Sequence, residues 1–146
     1  MRKKFLRVCS FSFLGLVFLL LLCLNLFWQD HWLDSDMAAE MIFSRLLAEE
    51  GRFFATPDWY YSTEFRFLYT HLVMGPLFRL TDNWRLIRLI TNLASYFLMT
   101  VSCFYLMRPL KVKREWTALT AAVLLLPFAE TMMLHMEMGN TYPWHV

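Results

Sequence analysis

From Val8 through Gln29 the chain carries no charged residue, and the segment just before it, Met1 to Arg7 (MRKKFLR), holds four cations. An uncharged apolar run of about 18 residues or more is long enough to cross a hydrocarbon core of about 30 Å as a helix. A secretory signal has the same polarity, but its apolar core is shorter and ends at a small-residue cleavage site. Here Phe27, Trp28, Gln29 and Asp30 follow directly, and Leu20, Leu21 and Leu22 before Cys23 lack the small residues that lipoprotein processing requires. The expectation is a basic cytoplasmic N terminus (residues 1–7) and an uncleaved first transmembrane helix (residues 8–28), with Trp28 and Trp32 at the outer interface.

With 58% hydrophobic and 18% aromatic residues in blocks, the composition predicts an all-α polytopic membrane protein and leaves no soluble core to seek. A net charge of +2 is too small to suggest nucleic acid, and the cations cluster where membrane topology would put them. Cys9, Cys23 and Cys103 are odd in number and lie in apolar blocks, which excludes a disulfide framework and a CxxC metal site.

Residues 29–83 are expected outside the membrane, and within them His31 to Glu64 is the one long polar segment. Asp36 is placed as the N-cap of a helix over 37–50, which Gly51 closes at the C′ position. Ala38, Ile42 and Leu46, with Ala39, Phe43 and Leu47, make an apolar stripe expected to lie on the bilayer, with Glu40, Ser44, Arg45 and Glu49 largely off it. A turn at Thr56, Pro57 and Asp58 leads to Trp59, Tyr60 and Tyr61. Ser62 or Thr63 then caps a second helix over 64–74, stopped by Gly75 and Pro76 and too short to span.

A second span is expected over 84–107 after Thr81, Asp82 and Asn83. RPLKVKRE (residues 108–115) reads as a cytoplasmic basic loop, and a third span over 116–136 returns the chain outside, with 137–146 extracytoplasmic. Nine of the twelve carboxylates lie between Asp30 and Asp82, as this arrangement requires. If the run from Phe67 to Phe78 also spanned, the basic loop would be pushed outside. Glu130, one turn from His135, would sit at the outer membrane edge, either as a functional ionisable group or already wet beyond a kink at Pro127. The end at GNTYPWHV follows an extracytoplasmic turn with no polar tail and reads as unfinished.

The candidate chemistry sits in HWLDSDMAAE. Asp34 and Asp36 are paired at i and i+2 near a helix N terminus, whose dipole keeps carboxylates ionised. They suit a general base, simple capping and solvation, or, with His31, a divalent cation site. A first span followed by an outer loop that opens on WLDSDMAAE and continues into a surface helix resembles the start of the GT-C superfamily of glycosyltransferases. That resemblance implies a polyprenyl-phosphate-linked sugar as donor, catalysis on the extracytoplasmic face, and Asp34 or Asp36 as the base that activates the acceptor. It implies a substrate-facing loop at Trp59, Tyr60, Tyr61 and Glu64, and balance of the departing lipid phosphate by Arg52 or Arg66. Interfacial anchoring explains the same aromatics, and surface pairing or headgroup contact the same arginines. Family members carry many more spans than three, so the chain is expected to be an N-terminal portion or a truncated relative, completed by further transmembrane segments or subunits. The competing readings are a non-enzymatic membrane subunit or scaffold whose outer loop binds a partner, and a transporter fragment.

Overall fold

The computed structural model describes residues 2–33, 35–61 and 69–128. Every regular element among them is helical: α1 (Arg2–Phe27), a 3-10 turn (Gln29–Trp32), α2 (Ser35–Glu49), α3 (His71–Phe78), α4 (Trp84–Met107) and α5 (Arg114–Leu125). Among the described residues two helices are long and apolar enough to cross a membrane, Lys4–Phe27 in α1 with a mean hydropathy of 2.4 and Trp84–Met107 with 1.5. α1 takes in the basic residues placed before it, because the cations before Val8 interrupt no backbone hydrogen bond.

Two apolar clusters organise the chain. Leu14, Val17 and Leu21 of α1 pack with Tyr96, Met99 and Cys103 of α4 and with Ala118, Ala121, Ala122 and Leu125 of α5. The alanines let α5 lie close to its neighbours. Met37 and Met41 of α2, Met74 and Phe78 of α3, and Ile87 of α4 form the second cluster. α4 therefore belongs to both, its start to the second cluster and its later part to the first.

The bundle has two chemically different ends. At one, Arg7 near the start of α1 lies 4.0 Å from Glu115 at the start of α5, beside the turn that carries Arg108, Lys111, Lys113 and Arg114. At the other, Arg85 at the start of α4 pairs with Asp30 just past α1 at 2.9 Å. α1 and α5 thus run one way and α4 the other, with α2 and α3 gathered at the end away from Arg7 and the α4–α5 turn.

Local chemistry sets the boundaries. Asn83 caps α4, its Oδ1 accepting from the Leu86 N–H at 3.1 Å. α2 ends in a Schellman motif: the Arg52 N–H reaches the Leu47 carbonyl at 2.9 Å and the Gly51 N–H reaches Ala48 at 3.3 Å. Gly51 takes the required left-handed conformation, with φ at 70°.

Three expectations change. α2 begins at Ser35, so Asp36 stands in its first turn rather than at the N-cap. The buried face of α2 is Met37, Met41, Phe43, Ser44 and Leu47, while Ile42 is 51% exposed. Ser44, expected off the packed face, is 0% exposed and donates to the Glu40 carbonyl at 2.7 Å. Finally, α3 continues through Gly75 and Pro76. Pro76 deprives only the Leu72 carbonyl of its helical donor, and two residues later the helix has ended. Gly75 meanwhile faces the α2 backbone, where an added Cβ would meet the Ser44 carbonyl oxygen at 3.9 Å. Residues 64–68 of the helix expected over 64–74 lie outside the described residues.

α5 stops at Leu125 because Leu126, before Pro127, is extended with ψ at 120°. Its 12 residues span only about 18 Å. Glu130, His135 and the rest of the expected third span lie outside the described residues.

Candidate functional site

The polar end is built on α2. Asp36 is exposed in its first turn, where the helix dipole favours a carboxylate. Asp34, Glu64 and Arg66 lie outside the described residues. Among those described, no three His, Cys, Asp or Glu side chains converge on a possible metal position, and His31 is exposed in the 3-10 turn.

The aromatic triplet is split by its packing. Phe43 is the hub: its ring centroid lies 5.3 Å from Trp59, 5.8 Å edge-on from Tyr61 and 5.5 Å edge-on from His71. The Tyr61 hydroxyl accepts from the Thr56 N–H at 2.7 Å, and Thr56 Oγ1 accepts from the Asp58 N–H at 3.2 Å, closing the turn expected there. Trp59 and Tyr61 thus hold the loop onto α2, and Tyr60, 91% exposed, is the ring left facing outward. His71 is buried with neither ring nitrogen hydrogen-bonded among the described residues, and burial lowers its pKa.

Arg52 lies at the far end of α2, with Nε 3.4 Å from Glu50 Oε2 and its carbonyl accepting from Arg79 at 3.3 Å. The length of α2, about 20 Å, separates it from Asp36. The structure does not bring these two candidates to one centre. Arg45 pairs with Glu49 at 2.8 Å, approaches Asp82 at 4.0 Å and lies over the Trp84 ring, tying α2 to the start of α4.

The guanidinium beneath the Asp36 turn is Arg88, which the sequence reading did not single out. It is 2% exposed, and Nη2 is 3.5 Å from the sulfur of Met37. Below it runs a buried polar seam between α1 and α4. Asn92 Nδ2 donates to Asn25 Oδ1 at 2.7 Å, and Asn25 Nδ2 donates to the Tyr96 hydroxyl at 3.1 Å and to the Leu21 carbonyl at 3.0 Å. Gln29, also buried, donates to the Arg85 carbonyl at 3.2 Å. The signal was present in the sequence, as polar residues at helical spacing (Arg88, Asn92, Ser95) in an apolar stretch.

Comparison with known family models, curated proteins and solved structures gives no match.

Proposed function

We propose that the chain is a multi-pass membrane protein with its N terminus in the cytoplasm. In this reading it is the N-terminal portion or a truncated relative of a glycosyltransferase that uses a polyprenyl-phosphate sugar on the extracytoplasmic face. Insertion is supported by how little of the two long helices the protein itself covers, 28% of the apolar window in α1 and 33% in α4. Leu16, Leu19, Phe97, Leu98 and Val101 are exposed along them, and a core helix of a soluble protein would hide such residues. Orientation is supported by the gathering of the basic N terminus and the α4–α5 turn at one end.

The observation that carries the transferase reading is an exposed carboxylate, Asp36, on a helix N terminus directly after the first span and at the end away from Arg7 and the α4–α5 turn. In the reaction, Asp34 or Asp36 takes the acceptor hydroxyl proton. The acceptor oxygen then bonds to the anomeric carbon as its bond to the lipid phosphate breaks, inverting the configuration, and the polyprenyl phosphate leaves as the anion. Arg66, or Arg88 beneath the same turn, is the cation that favours this departure. Tyr60 remains as a ring for sugar contact. Asp34→Asn in membranes containing the full-length protein is expected to lower sugar transfer about 10²-fold or more, with protein level unchanged, and Asp36→Asn to lower it less. Wild-type rates in both variants contradict the reading.

The alternative, a non-enzymatic subunit whose polar end binds a partner protein, is favoured by the exposed Ile42, Phe53, Phe54 and Leu80 at that same end.

A further inference from the structure

At the basic end, α1, α4 and α5 leave a crevice of about 560 Å³ lined by Phe11, Phe104, Arg108, Val112, Arg114 and Thr117. Phe11 and Phe104 pack side by side in its lining with ring centroids 6.3 Å apart, giving it an apolar wall. Arg108 and Arg114 stand at its mouth on the α4–α5 turn, and neither has a carboxylate partner among the described residues. Glu115, in the first turn of α5, is buried and faces Arg7 at 4.0 Å. Lys111 and Lys113 add positive charge around the rim.

We propose that this crevice binds one anionic phospholipid of the cytoplasmic leaflet. Its phosphate lies between Arg108 and Arg114, and the upper part of an acyl chain lies along Phe11 and Phe104. The proposal rests on the membrane reading above. A guanidinium pair suits a phosphate oxyanion better than ammonium groups do, because its planar donors can engage two oxygens at once. The apolar wall selects a lipid over a free anion, since inorganic phosphate would leave the two phenylalanines uncovered. Basic recesses between helices on the cytoplasmic side hold anionic headgroups by this combination.

The test is native mass spectrometry of the full-length protein, extracted in neutral detergent and reloaded with phosphatidylglycerol or phosphatidylcholine. The wild type is expected to retain one phosphatidylglycerol per chain through washing, and to retain it in the presence of excess inorganic phosphate. Arg108→Gln with Arg114→Gln should cut retention about 10-fold or more, whereas Lys4→Gln with Arg79→Gln removes the same charge outside the crevice and should change it less than about 2-fold. Equal losses in the two pairs, equal retention of both lipids, or displacement by inorganic phosphate would overturn the site. Carbonate extraction of the same membranes separates the two claims: release of the wild type sinks the membrane reading, while firm retention without lipid selectivity sinks only the crevice.

Discussion

Asn92 Nδ2 lies 2.7 Å from Asn25 Oδ1, so the two longest helices are joined by a side-chain amide pair buried at their seam. In an apolar surround neither amide has water as an alternative partner, and losing one leaves the other short of a hydrogen bond. Asn92→Leu is expected to destabilise the protein in detergent by about 1–3 kcal/mol. Tyr96→Phe removes one of the two bonds donated by Asn25 and should cost less than Asn92→Leu. A double-mutant cycle on Asn25 and Asn92 should return a coupling of about 0.6–1.7 kcal/mol, and additivity would mean that the pair is broken in solution.

The rotation of α2 yields a second prediction. Ser44 is fully buried under α3, so Ser44→Asp places an unpaired carboxylate against the Gly75 backbone and should lower stability by about 3 kcal/mol or more. Ile42 is half exposed, so Ile42→Asp should alter fold stability by no more than about 0.5 kcal/mol. If the exposed face rests on the bilayer, Ile42→Asp acts instead on how the polar end is held to the membrane. Thermal unfolding of both variants in detergent checks the ranking.

This is the reverse of the ranking that the apolar stripe alone predicts, and it marks what the sequence makes legible. The two long apolar helices are legible because an uncharged run has few alternatives. Asn83 and Gly51 are legible because a cap and a left-handed residue each have a specific chemistry. The rotation of α2 is not, because Met37, Met41 and Leu47 offer a second apolar face that only the position of α3 selects. In the candidate site, the distance from Asp36 to Arg52 could have been read from the length of the intervening helix. The burial of Arg88 beneath Met37 could not, since it depends on how α2 folds back over α4.

His71 supplies a pH dependence. Burial holds its folded-state pKa below the ordinary 6.5, so the unfolded chain binds the extra proton more readily as pH falls. Stability is therefore full above 6.5 and lost as pH falls through 6.5 toward the lower folded value. His71→Phe keeps a ring against Phe43, removes the titration and should flatten the profile of melting temperature against pH. An unchanged slope would assign the acid sensitivity to another group.

Placement of the polar end outside the membrane and the basic end inside is tested most directly by cysteine accessibility in intact cells. Single cysteines are introduced at Asp58 and at Lys111, both exposed, in a chain whose Cys9, Cys23 and Cys103 are replaced by alanine. The account predicts that a membrane-impermeant maleimide labels position 58 in intact cells and reaches position 111 only after permeabilisation. Labelling of 111 in intact cells while 58 stays protected would contradict it, as would equal labelling of both.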